Sequence, residues 1–337
     1  AHLAIYAETR NPQAFEEAEI VCQKALTLDR RSPGVYLALG NLYLASGQYE
    51  QALEEFETAV ALKGSFVEAY LGMADTYLEQ GQFERAELKY KAALDQQPEH
   101  WRAQMKIGNY YFRSGSSEQA IPFYHRISEL MPDNAGAFNN LGAAYMMNGA
   151  FQDAVDALQR SVELEPSGLT YANIATALYY TGRYNEAIPL YHKAVEHAPE
   201  DYELWGNLGD AYRHTSEGRD MAGPMYANAI KLAEKRLAVN AADAHALALV
   251  GHYQAALGNR DEAMAALTQA AAIDPQDIYV NYSQAMAYAT LGEDDRAMDA
   301  LERSLDKGFP MHIALADANL NELRQLPRFE ASMAHRD

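Results

Sequence analysis

The sequence predicts an all-α chain, an α-solenoid of about nine helix pairs ending in a C-terminal capping segment. Three observations predict it. A small residue recurs at Ala18, Ala52, Ala86, Ala120, Ala154, Ala187, Ala222, Ala263 and Ala297, at steps of 34, 34, 34, 34, 33, 35, 41 and 34 residues. A fixed period of this size is the mark of one supersecondary unit stacked many times. Within a unit the apolar residues fall at helical spacing, as in Tyr70, Met73, Ala74 and Tyr77, or Phe138, Leu141, Gly142 and Tyr145; gaps of three, one and three share a helix face. Breakers then divide each unit. Gly115, Gly149, Gly182, Gly258 and Gly292 close a first helix, and Pro98, Pro132, Pro166, Pro199 and Pro275 close a second.

The elements follow in order. Residues 1–32 read as a degenerate N-terminal repeat. Full repeats follow near 33–66, 67–100, 101–134, 135–167, 168–201, 202–243, 244–277 and 278–310, and residues 311–337 read as the cap. Gly or Ala at the eighth position and Ala at the twentieth let the two helices of a repeat approach closely, while larger residues fill the space between repeats. One pair alone would leave an apolar face in water, so the array folds by stacking. The step from Ala222 to Ala263 is seven residues too long, and Ala229 to Val239 contains no breaker. This predicts a second helix lengthened by about two turns, roughly 10 Å at 1.5 Å per residue. The turn before it, Thr215-Ser216-Glu217-Gly218-Arg219-Asp220, lacks the usual tight glycine placement. In the tail, Phe309, Leu320, Leu323 and Phe329 are expected to seal the last repeat, with Arg324, Gln325 and Arg328 in water.

Composition narrows the functions. The chain has 337 residues, 49% hydrophobic and 22% charged, with a net charge of −20. Both halves are acidic, so the surface repels phosphate backbones and anionic membranes; nucleic acid is excluded as a partner, and a basic protein would be attracted. No stretch approaches the ~20 apolar residues that span a bilayer. One cysteine, Cys22, excludes an internal disulfide and a Cys-rich metal centre, and its place on a packing face predicts a buried, inert thiol. There is no phosphate loop, no His-Glu-x-x-His run and no Gly-x-Ser-x-Gly elbow. We therefore expect no enzyme activity, no cofactor and no metal. His245 and His252 share a helix face, but seven residues separate them by ~10 Å, too far for one ion without further ligands.

These repeats resemble the tetratricopeptide repeat over nearly the whole chain. The resemblance implies antiparallel helix pairs wound into a right-handed superhelix, with a concave groove lined by the first helix of each pair. It makes the chain a non-enzymatic scaffold that holds a peptide or partner protein. The groove residues we single out are Asn41, Asp75, Arg102, Lys106, Asn109, Arg113, Asn140, Asn173, Asn207 and Tyr180. Asn140, Asn173 and Asn207 occupy the sixth position of their repeats, similar to the asparagine ladder in the repeat domain of O-linked N-acetylglucosamine transferase; an amide both donates and accepts, so such a ladder holds a peptide backbone. Arg102, Lys106, Asn109 and Arg113 form a local basic patch. Only Arg102 and Lys106 match the carboxylate clamp of chaperone-binding repeats, since Leu37, Asn41 and Gly72 stand at the other places. The tail, the Leu204–Arg213 stretch and the long Leu232–Asn240 stretch are similar to the C-terminal repeat regions of bacterial signalling proteins that carry a kinase, cyclase or winged-helix module. This implies a regulatory region of a longer protein, in bacterial cytoplasm or periplasm; the absent initiator Met fits that expectation. Self-association through the N-terminal unit or the lengthened helix near Lys231 is a third expectation, and oligomeric state is left open.

Overall fold

The computed structural model describes Tyr6, Thr9, residues 11–216 and residues 218–334. Glu217 of the long turn, residues 1–5, 7, 8 and 10 of the N-terminal repeat and the last three of the cap lie outside the described residues. All regular structure among the described residues is helical. The chain divides into two compact units, Ala1–Pro132 and Asp133–Asp337.

The first unit holds α1 (Pro12–Leu28) and three helix pairs: α2 (Pro33–Ala45) with α3 (Tyr49–Leu62), α4 (Val67–Glu79) with α5 (Phe83–Gln96), and α6 (Trp101–Arg113) with α7 (Ser117–Leu130). Each helix packs on the next, and α2, α4 and α6 also touch one another in series, forming an inner layer. The turns inside pairs need a left-handed residue. Gly81 has φ +70 and Gly115 has φ +78, a conformation that costs any residue with a Cβ. Close approach explains the helical glycines. The ring of Phe56, fully buried, lies between Gly40 and Gly72, and a Cβ at either would collide with it. Burying a ring of this size contributes about 2–3 kcal/mol. Cys22 sits on α1 and is half-buried rather than buried; burial, then the charges of Glu19 and Glu55, push its thiol pKa up.

The second unit holds five pairs: α8 (Ala135–Met147) with α9 (Phe151–Leu164), α10 (Gly168–Tyr180) with α11 (Tyr184–His197), α12 (Tyr202–Arg213) with α13 (Arg219–Val239), α14 (Ala244–Ala256) with α15 (Arg260–Ile273), and α16 (Ile278–Thr290) with α17 (Asp294–Asp306). Helix α13 runs 21 residues where α11 and α15 run 14. Its extra turns bury Ala233 and pack Leu237 against α14, leaving Lys231, Lys235 and Val239 in water. Asp201, Asp243 and Asp277 each accept backbone N–H groups at the start of a first helix, which satisfies donors that a helix start leaves unpaired.

The tail comprises α18 (Met311–Ala316), two short 3-10 turns (Ala318–Leu320 and Leu323–Gln325) and α19 (Pro327–Ala334). Phe309, Leu320, Leu323 and Phe329 are all buried against α16 and α17. Arg328 is exposed and pairs with Asp299 and Glu302. Arg324 departs from expectation. It is half-buried and donates to the backbone carbonyls of Ala314 (3.3 Å) and Asp317 (2.5 Å). The reason is a larger departure: before α19 returns to the last repeat, residues 310–320 run back along the inner helices of the unit as far as α9. No helix among the described residues is long and apolar enough to cross a membrane.

Candidate functional site

The first unit carries a cleft of about 1270 Å3 along the C-terminal ends of α2, α4 and α6. Its walls combine apolar and aromatic groups, among them Leu44, Leu78, Phe83 and Tyr110, with the polar side chains of Asp75, Glu79, Lys106, Asn109 and Arg113. Asp75 is the centre of a small network. Its Oδ1 accepts from the Tyr90 hydroxyl at 2.6 Å and its Oδ2 accepts from Lys106 Nζ at 2.9 Å. Burial, then the Asp75 charge, raises the Tyr90 hydroxyl pKa, so the phenol stays a donor. One repeat on, the Tyr124 hydroxyl donates to Asn109 Oδ1 at 2.8 Å, and burial pushes its pKa up to about 12. That bond leaves the Asn109 amide nitrogen uncommitted. Arg113 is exposed and makes no hydrogen bond or ion pair among the described residues.

Of the sequence-derived groove residues, Asp75, Lys106, Asn109 and Arg113 therefore meet in one cleft. Asn41 lies half-buried on α2 outside its lining, and Arg102, a turn before Lys106, is exposed with Nη1 3.6 Å from Glu68. Asn140, Asn173, Asn207 and Tyr180 belong to the second unit, where each is half-buried. Asn207 and Tyr180 line a smaller cavity of about 110 Å3, and the Tyr180 ring packs 5.0 Å from that of Phe151.

Beside Asn207 and Tyr180, that cavity is built from groups that the sequence reading did not single out for a site. Asp210 on α12 accepts from the Tyr226 hydroxyl at 2.6 Å and faces His252 Nε2 at 3.1 Å. Burial works to raise the Asp210 pKa, but His252 and the hydrogen bonds from His252 and Tyr226 outweigh it and hold the carboxyl below its usual range. His252 is 1% exposed and has its own partner. His245 faces Glu203 at 3.6 Å instead, so the two histidines do different jobs. No group of three or more His, Cys, Asp or Glu side chains among the described residues is arranged for a metal ion.

The missed signal is the ninth residue of each first helix. In repeats with Tyr90, Tyr124, Tyr191 and Tyr226 on the second helix, the ninth position carries Asp75, Asn109, Thr176 and Asp210, each bonded to that hydroxyl. Where the second helix carries Phe56, Leu158, Leu267 or Leu301, no such bond forms. A buried phenol needs an acceptor, and the pairing is readable in the sequence once the contact is known.

The fold defines a helical repeat scaffold. Tetratricopeptide repeat models match residues 71–130, 124–168 and 173–219, and others match 21–54, 40–81 and 244–277. The chain belongs to the tetratricopeptide repeat family. Among solved structures it is similar to the MamA protein, with 26% identity over 52% of this chain and 97% of that one, at a TM-score of 0.49. It is similar to YrrB, described as a TPR protein with an unusual peptide-binding site, at 21% identity over 54% and 94%, TM-score 0.48. MamA from Desulfovibrio magneticus RS-1 gives 20% identity over 50% and 95%, TM-score 0.45. No curated protein matches the chain.

Proposed function

We propose that the chain is a non-enzymatic protein-interaction scaffold whose first-unit cleft takes an extended peptide. One observation carries the reading: a cleft of about 1270 Å3 whose apolar walls stand beside polar groups not used up by the fold. Arg113 and the Asn109 amide are free to bind, and Asp75 and Lys106 hold each other in place between them. Apolar walls supply affinity, while a few fixed polar groups set register and direction. The guanidinium suits a carboxylate or a backbone carbonyl, and the amide suits a peptide group.

The test is a display screen of random twelve-residue peptides against the intact chain. Selected peptides are then measured on R113A and N109A, with R102A as a variant outside the cleft. We expect tenfold or greater loss for the first two and little change for the third. Unchanged affinity in both cleft variants defeats the proposal.

A second reading, self-association, has its own observation. Ile20 and Val21 on α1 are 50% and 52% exposed, and Leu28 is 89% exposed. Light scattering across a concentration series tests it; a monomer throughout disposes of it.

A further inference from the structure

The inner face of the second unit is already occupied, and its occupant is the chain itself. Residues 310–320 leave the last repeat and cross the first helices of the earlier ones. The His312 ring lies on Gly149, 5.9 Å from the Phe151 ring. The Asp317 carboxylate accepts from the Tyr179 hydroxyl at 3.1 Å and the Tyr282 hydroxyl at 2.7 Å, groups 138 and 35 residues away in sequence. Asn319 donates to Tyr179 Oη at 3.2 Å and meets His214 Nε2 at 3.2 Å. Ala314 is 0% and Ala318 5% exposed, so these positions admit only small side chains.

Two observations describe a tenant held at a cost. Asp317 is 3% exposed, yet its carboxylate is held by hydroxyl and N–H donors of neutral groups; Arg324 reaches only its backbone carbonyl. A buried charge without a countercharge is costly. Asp210 lines the same cavity as Asp317, and its charge opposes that of Asp317. A cavity of about 110 Å3 lies beside the segment, room for several waters at roughly 10–15 Å3 each. The regular structure here is short, a six-residue helix and two three-residue turns. Both ends are anchored: Phe309 stacks on Tyr282 at 3.9 Å, and Leu323 is fully buried. Leu320 is fully buried as well, so the part that can lift is the loop between Phe309 and Leu320, once Arg324 releases the Ala314 and Asp317 carbonyls.

We propose that the inner face of the second unit is a further peptide site, held shut by the chain's own residues 310–320, and that a partner's extended segment with a carboxylate between alanine-sized residues takes their place. The two phenol hydroxyls choose the carboxylate, the closed contacts around Ala314 and Ala318 choose small flanking residues, and His214 takes a following amide. This goes beyond the first-unit cleft and does not depend on it.

Two measurements test it. In the first, hydrogen exchange is followed on the unaltered chain. Amides of residues 314–320 are expected to exchange at least tenfold faster than those buried in α10 and α16; exchange in step with those helices overturns the proposal. In the second, a labelled peptide with the sequence of residues 309–321 is titrated into the unaltered chain and into D317K, whose own segment no longer suits the site. We expect at least tenfold tighter binding to D317K, and at least tenfold weaker binding of a peptide with Lys in place of the aspartate. A D317K protein of native helicity that binds no better, or equal binding of both peptides, overturns it. Should D317K lose its helicity, the exchange result on the unaltered chain decides.

Discussion

Tyr90 shows how one residue ties packing to the cleft. Its ring fills the space between helices, and its hydroxyl fixes the carboxylate that in turn fixes Lys106. Tyr90→Phe keeps the ring and removes the bond. A hydrogen bond to a charged group is worth about 1.5–3 kcal/mol; Asp75 retains some water contact, so we expect a loss of about 1–2 kcal/mol in urea unfolding, with helicity unchanged. Tyr124→Phe should cost less, since its acceptor is the neutral amide of Asn109. His245 gives a pH dependence. The Glu203 carboxylate, 3.6 Å away, raises its pKa above 6.5, against burial, which lowers it. A group with a raised folded-state pKa contributes stability that is complete below its unfolded value and is lost as pH rises through the folded one. Unfolding free energy should therefore fall as pH climbs from about 6.5 through the raised value. In Glu203→Gln that part of the slope should vanish; a slope that persists contradicts the pairing.

At the scale of the element, what matters is how closely two helices approach. Ala154 on α9 is 0% exposed, one turn from Leu158, which fills the space where Gly142 has no side chain. Ala154→Leu overpacks this contact and should cost about 1–3 kcal/mol, seen as a lower calorimetric midpoint. Helix α13 shows the opposite case, an element made longer without disruption. Its added turns have no breaker and continue the apolar spacing, so they fold onto α14 rather than into a loop. The helices and their turns were legible in the sequence because each depends on residues within about one repeat of one another. The tyrosine pairs were half-legible. The phenols stood out as packing residues, but an acceptor fifteen residues away on another helix becomes evident only when the two helices are side by side.

For the molecule as a whole, stability in a repeat array is a sum of local and nearest-neighbour terms. The two units have separate cores. Ala154→Leu should therefore speed hydrogen exchange across α8 to α11 and leave the amides of α2 to α5 unchanged; loss of protection in both places refutes that independence. The second unit is the exception to purely local bookkeeping. Its tail links α9, α10, α12 and α16 directly, which gives an otherwise one-dimensional array a long-range tie.

The periodic spacing of small residues, glycines and prolines determined without further help that this chain is a stack of helix pairs, that one helix is lengthened, and that the last apolar residues of the tail are buried. These features rest on interactions between near neighbours in sequence, which a period records. Only the tertiary structure decided that Asp75, Lys106, Asn109 and Arg113 share one cleft, whereas Asn207 and Tyr180 face a cavity that the tail lines with Asp317 and Asn319. Residues 310–320 carry no repeat, and their partners lie up to 140 positions away. No local pattern encodes such a contact; it follows from the shape of the surface that the stacked helices create.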